Sequence, residues 1–368
     1  MTSSAVFVGL DGGGTKTCCV AVDANRVVLA RVVTGASNAN SVGDAAAASA
    51  VVQAIEGVLA SAKRHIGDVA ALCLCMSGVD RPADRLKVLR WLADSLPQLS
   101  AATPIYVYND AVGALAAGTG GKLHGIALIS GTGTICVGVN EREEQIRASG
   151  WGPVLGDEGA GTSIAARALH AITLAVDGVT RPTLMIELVL AQLGLSQPSE
   201  LIAWAYAPET RGNWEKFAAL TRCVVAAADA GDATAAAILH HAAFYLANSC
   251  LAVARRLYRS EHPDAPPPPE LPALRGDASI AGNACRESAA SELHNLAAVH
   301  DVAVLRAARY DIVLVGGNVV AVDGVLRKRL LQLLHDALPL CTVHISDTEP
   351  ALGAALVALN KSRTPPQS

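Results

Sequence analysis

The sequence is short of charge: Asp, Glu, Lys and Arg make up 17% of its 368 residues, and the formal net charge is −4. That leaves no electrostatic basis for a nucleic-acid or anionic-membrane partner. Neither a helix-turn-helix pattern nor a basic arm precedes the first strand-like segment. The opening MTSSAVFVGLDGGG lacks a basic n-region and an apolar stretch of signal-peptide length. No run reads as an apolar span of the roughly 18 residues that a bilayer crossing needs. The nine cysteines (Cys18, Cys19, Cys73, Cys75, Cys136, Cys223, Cys250, Cys285, Cys341) never group as four closely spaced zinc ligands, and the ten histidines show no metal spacing. A reduced, cytosolic protein is the expectation. What the chain does have is apolar residues, 51% of the total, and length enough for two domains with a large core.

The two halves open alike. Phe7-Val-Gly-Leu-Asp-Gly-Gly-Gly-Thr-Lys-Thr-Cys-Cys-Val-Ala-Val22 and Gly125-Ile-Ala-Leu-Ile-Ser-Gly-Thr-Gly-Thr-Ile-Cys-Val-Gly-Val139 each run an apolar strand into a Gly/Thr-rich turn and out along another strand. Polar turns at 23–26 and 140–144 then lead to a third strand. A hairpin that wraps a phosphate needs bare backbone N–H groups and unusual φ angles, which Gly supplies at little cost. Gly12, Gly13, Gly14, Thr15 and Lys16 form the first candidate loop, and Gly131, Thr132, Gly133 and Thr134 the second.

Later in each half an apolar strand ends in small or polar residues and a helix follows. Ile105–Tyr108 stops at Asn109-Asp110, with a helix expected over 111–117. Asp311–Val315 stops at Gly316-Gly317-Asn318, with a helix over 327–334. Strands alternating with helices predict an α/β protein whose ligands sit at the carboxyl ends of strands. From Ile164 to Leu257 the pattern is helical, with 219–241 the longest stretch. The Pro-rich 261–301 segment reads as a surface insertion and 361–368 as a loose tail.

Asp11 reads either as a turn-starting residue or as a carboxylate that holds a hydrated Mg²⁺ at the phosphates. Asp110 reads either as a helix N-cap or as the general base for a substrate hydroxyl. The densest motif is Gly150-Trp151-Gly152-Pro-Val-Leu-Gly-Asp157-Glu158-Gly159. Its ring among glycines, followed by two acids, suits a carbohydrate pocket, while the plain alternative is a core Trp with two capping acids. Asn38, in a Ser-Asn-Ala-Asn loop, carries little signal alone.

In this order the motifs resemble the N-acetylglucosamine kinase and BadF/BadG/BcrA/BcrD-type ATPase family of the actin and sugar kinase superfamily. The resemblance covers about residues 5–360 and implies two actin-like, ribonuclease H-like ATPase domains, each a mixed sheet flanked by helices, with nucleotide in the cleft between them. It divides the chain into 1–117 plus 348–368 and 118–347, the 348–359 helix returning to the first domain. It implies ATP and Mg²⁺, with Thr15 and Thr132 on the phosphates, Gly316, Gly317 and Asn318 at the adenosine, and Ala228 near the adenine. It places Asn38, Thr134, Gly150, Trp151, Gly152 and Asp157 at an amino sugar, whose 6-hydroxyl Asp110 would activate. A homodimer is left open. Ala39 follows Asn38 where N-acetylglucosamine kinases often carry His, so N-acetylglucosamine, glucosamine and a muramic-type sugar all stay in view. The rival readings are an activator ATPase with an iron–sulfur cluster, a sugar-sensing regulator and a catalytically inactive sugar binder.

Overall fold

The computed structural model describes residues 5–99, 103–264, 302–320 and 324–363. The expected insertion lies outside the described residues from 265 onward, as do Cys285 and residues 364–368 of the expected tail. Its contacts divide the chain into two units, Met1–Ala127 with Glu141–Glu143 and Ser346–Ser368, and Leu128–Asn140 with Glu144–Ile345.

The first unit is a five-stranded sheet of β1 (Val6–Gly12), β2 (Thr17–Val22), β3 (Val28–Thr34), β4 (Val69–Met76) and β5 (Ile105–Asn109), in the order β3-β2-β1-β4-β5. The two hairpin pairs are antiparallel, and β4 and β5 join parallel to β1. β1 is apolar at every position up to Asp11 because both its faces are covered. Val6, Val8 and Leu10 share a core with Val51, Ile55 and Val58 of the helix Asp44–Ser61 and with Leu92 of the helix Pro82–Ser95. The opposite face meets the last helix, Pro350–Arg363, so closely that a Cβ on Gly9 would stand 2.0 Å from the Ala355 nitrogen. Side chains alternate along a strand, so Asp11 projects on this same face. The last helix begins two residues later than the sequence suggested, with Pro350 as its first residue, and it absorbs Lys361–Arg363, which were expected to be loose.

The second unit contains β6 (Gly125–Ser130), β7 (Thr134–Val139), β8 (Gln145–Ser149), β9 (Asp311–Val315) and β10 (Thr342–Ile345), ordered β10-β9-β6-β7-β8. Counting within each unit, both sheets run third, second, first, fourth, fifth. The repeat visible in the two Gly-rich hairpins is thus a repeat of whole sheets. Seven helices lie between β8 and β9 among the described residues: Gly161–Val176, Met185–Leu193, Glu200–Tyr206, Trp214–Ala218, Thr221–Asp229, Ala233–Glu261 and Val302–Ala307. The Ala-rich 219–241 stretch is not one helix. Gly231, at φ 92°, breaks it, and the Asp232 carboxylate caps the next helix by accepting from the Ala235 N–H at 2.9 Å. The helix Ala233–Glu261 is long and apolar enough to cross a bilayer by length and composition, which corrects the reading that no run was. Half of its most apolar window is buried within the protein, including Leu246, Cys250, Leu251 and Ala254. Its apolar character therefore comes from serving as a core helix.

Candidate functional site

In the first unit, β1 ends in a hairpin whose Gly13 N–H donates to the Lys16 carbonyl at 2.9 Å. The Gly13 carbonyl accepts from the Ser37 and Asn38 N–H groups at 3.0 and 3.1 Å. Gly14, Thr15 and Lys16 stay exposed, with their N–H, hydroxyl and ammonium groups open to a ligand. Asn38 caps a short helix, its side chain accepting from the Asn40 N–H at 3.0 Å. A Cβ on Gly78 would lie 2.8 Å from Asn38 Oδ1, so the loop after β4 abuts Asn38.

That loop also supplies a residue the sequence reading missed. The Ser77 hydroxyl donates to Asp110 Oδ2, and the Ser77 N–H donates to the Gly12 carbonyl at 2.8 Å. Ser77 thereby ties the end of β1 to the end of β5. Asp110 is the first residue of the helix Asp110–Thr119; the cap is Asn109, whose side chain accepts from the Ala111 N–H at 2.9 Å. Asp110 Oδ1 shares the same Ala111 N–H at 3.0 Å. Burial raises the Asp110 pKa above the ordinary carboxylate value, opposed by the Ser77 and Ala111 hydrogen bonds, while the charge of Asp80 adds to the rise.

Asp11 is pushed up to about 6, first by burial and then by the charges of Asp110 and Glu349, with Lys16 opposing. Glu349, also missed, sits just before the last helix. Its carboxylate accepts from Arg31 at two points, 2.8 Å from Nε and 2.5 Å from Nη2, and this pairing holds its pKa below the usual value. Cys18, paired with Asp11 in the β1–β2 register, has its thiol raised to about 12 by burial and by Glu349. Asp11 therefore lies in a crowded field of negative charge, a setting suited to a hydrated divalent cation.

In the second unit the β6–β7 hairpin repeats the plan. The Gly131 N–H donates to the Gly133 carbonyl at 2.9 Å, and the Thr132 side chain is exposed. Thr134 is buried, and its hydroxyl donates to the Ile129 carbonyl at 2.8 Å, closing the turn. The Gly161 N–H donates to the Gly131 carbonyl at 2.8 Å, fixing a helix start behind the loop. After β9, Gly316 adopts φ 99°, and a Cβ there would stand 2.3 Å from the Ser130 carbonyl oxygen, so only Gly fits. Asn318 donates to Ser130 Oγ at 3.1 Å and to the Gly131 carbonyl at 2.8 Å. A cavity of about 520 Å³ opens beside these residues, lined by Ala219, Arg222, Val225, Asp229, Gly317 and Leu326, among others. Ala228 is buried and does not line it; its helix neighbours Val225, Ala226 and Asp229 do.

The Gly150–Gly159 motif is an open loop organised by one carboxylate. Asp157 is buried at φ 60°, and its Oδ1 accepts from the Trp151 and Gly152 N–H groups at 3.0 and 3.1 Å. Trp151 is 64% exposed, so it is not a core residue. The Arg147 guanidinium lies 5.1 Å from its centroid, fixing the ring by a cation–π contact. Glu158 points elsewhere, accepting from the Ser163 hydroxyl at 2.6 Å and pairing with Arg167 at 3.2 Å. Sequence signals for Asp157's backbone role were absent, since φ and N–H direction are not written in residue type.

Two mixed sheets of one strand order, each opened by a Gly/Thr hairpin and followed by an acid or glycine turn at a strand end, make up an actin-like fold. The chain belongs to the BadF/BadG/BcrA/BcrD ATPase family, whose sequence profile matches residues 8–264. It is similar to an N-acetyl-D-glucosamine kinase of Dictyostelium discoideum, 39% identical over 262 residues that cover 69% of this chain and 81% of the relative. It is also similar to an N-acetylmuramic acid/N-acetylglucosamine kinase of Clostridium acetobutylicum, 33% identical over 246 residues covering 67% and 78%. Among solved structures, a ROK hexokinase from Thermus thermophilus matches with a TM-score of 0.55 and 17% identity, over 97% of this chain and all of that one. That last likeness is one of fold alone.

Proposed function

We propose that the protein transfers the γ-phosphoryl group of ATP to the 6-hydroxyl of an amino sugar, N-acetylglucosamine in the first instance. The observation that carries this reading is Asp110. It is a half-buried carboxylate at a strand end, held by Ser77 beside the first phosphate hairpin, with its pKa raised toward the range useful for a base. The activities of the two relatives give the direction of the chemistry.

Asp110 takes the proton of the sugar hydroxyl as its oxygen attacks phosphorus. The bond from the γ-phosphorus to its bridging oxygen breaks, ADP leaves with that electron pair, and the proton passes to solvent. Gly13–Lys16 and Gly131–Thr132 supply N–H and hydroxyl donors and one cation for the phosphates. Gly317 and Asn318 line the nucleoside cavity, and Gly316 makes the turn just before them. Asp11 would hold Mg²⁺ through water, since no group of three His, Cys, Asp or Glu side chains among the described residues is arranged to ligate a metal directly. The ion would supply neutralisation of the triphosphate charge. Asn38 orients a sugar hydroxyl, the Trp151 ring takes a sugar face, and Asp157 holds the Trp151–Gly152 backbone in place for it. An activator ATPase with a shared cluster fits less well, because all the described cysteines except Cys341 are buried. The same buried, unbridged thiols suit a reducing cytosol.

The test is ADP release by wild type and Asp110→Asn with N-acetylglucosamine, glucosamine, N-acetylmannosamine, muramic acid and glucose. Turnover confined to amino sugars, reduced ~10²–10⁴-fold in Asp110→Asn, supports the reading. Hydrolysis of ATP at the same rate with and without sugar contradicts it.

A further inference from the structure

The nucleoside cavity of about 520 Å³ has a direction. At one end, Asn318 is tied to the second phosphate hairpin through Gly131, and the Thr221 hydroxyl donates to the Gly161 carbonyl at 3.1 Å. Gly161 in turn donates to Gly131, so Thr221 marks the phosphate end of the helix Thr221–Asp229. That helix forms one wall, and Asp229 closes it. At 1.5 Å per residue, Asp229 lies about 12 Å further along. This is comparable to the length of an extended nucleoside with its first phosphate, so Asp229 stands where the base arrives.

Polar capacity points the same way. The Thr221 hydroxyl, the Asn318 amide and Arg222 Nε are all committed to backbone or side-chain oxygens, Arg222 donating to the Ala219 carbonyl at 3.1 Å. The carboxylate of Asp229 is exposed and takes no hydrogen bond among the described residues. The rest of the wall is apolar: Ala218, Val225, Ala226 and Leu326. A base arriving at that end would rest on the apolar wall and be read by the uncommitted Asp229 carboxylate.

We propose that Asp229 selects the nucleotide base, its carboxylate accepting a hydrogen bond from the exocyclic amine of adenine. This rests on the kinase reading only in assuming that the cavity holds a nucleoside. A carboxylate is purely an acceptor, so a guanine in the same orientation would set its C6 carbonyl oxygen against like charge density, its N1–H and 2-amino donors lying further along the ring edge. Arg222, next to Thr221 at the phosphate end, lies about 10 Å short of Asp229 along the helix and cannot substitute for it.

The experiment is calorimetric binding of ADP and GDP to wild type, Asp229→Asn and Asp229→Ala, with thermal unfolding as a check on folding. Wild type is expected to prefer ADP by about 10- to 100-fold, the range for one hydrogen bond to a charged group. Asp229→Ala is expected to lose most of that preference by weakening ADP binding. Asp229→Asn, whose amide can donate to the guanine oxygen, is expected to lose it partly by strengthening GDP binding. An unchanged ADP-to-GDP ratio in both folded variants overturns the inference and leaves the kinase reading standing. Absence of binding by either nucleotide in wild type overturns both.

Discussion

Replacing Asp11 with Asn is expected to stabilise the ligand-free protein while removing its activity. The ordinary pKa of this carboxyl is 3.8, and burial beside Asp110 and Glu349 lifts it to about 6. Between those values the folded protein keeps a proton that the unfolded chain has given up, so stability falls as pH rises through that window. Above pH 6 the full cost applies. At 1.36 kcal/mol for each pH unit of difference, it comes to about 3 kcal/mol. Asn has nearly the same shape and no ionised form, so it escapes this cost at pH 8 and gains little at pH 4. Urea unfolding in EDTA at both pH values measures the difference, the midpoint moving up at pH 8 with an unchanged slope. An Asn variant no more stable than wild type at pH 8, or equally stabilised at both pH values, would refute the electrostatic account of Asp11.

Ser77→Ala removes a hydrogen bond that lowers the Asp110 pKa. Since the base must be ionised, the acid limb of the kcat/KM profile should move to higher pH, with kcat at pH 7 down ~10-fold. Gly316→Ala forces a Cβ against the Ser130 carbonyl at a φ that disfavours it, and ADP binding by calorimetry should fall below detection. Asp157→Ala frees the Trp151 and Gly152 N–H groups and should raise the sugar KM ~10-fold or more, with the ADP affinity unchanged.

The repeat of two sheets was legible because each begins with a strand, a Gly-rich turn and a strand, and Gly in that setting has few other uses. The strand end at Asn109-Asp110 was legible because the run Ile105–Tyr108 stops there and a helix pattern follows. Ser77 could have been found by the same rule, since β4 gives way to Ser77-Gly78 as β5 gives way to Asp110. Glu349 could not: it reaches Arg31 and the Asp11 field only because the last helix folds back onto the first sheet, a contact between residues more than 300 apart in the chain. The break at Gly231-Asp232 inside the Ala-rich stretch was hidden by composition, because Ala favours helix on both sides of it. Ala228 was displaced from the cavity by rotation about the helix axis. Its neighbours at 225, 226 and 229 share the exposed face while 228 turns inward.

The most direct test of the central claim is to identify where the phosphoryl group goes. Wild-type protein, MgATP and N-acetylglucosamine would be incubated, and the phosphorus product examined by two-dimensional ¹H–³¹P NMR. Phosphorus coupled to the two protons on C6 of the sugar, appearing in step with ADP and absent with Asp110→Asn, is the result the account predicts. Inorganic phosphate as the sole phosphorus product beside ADP, formed equally with the variant, would contradict it.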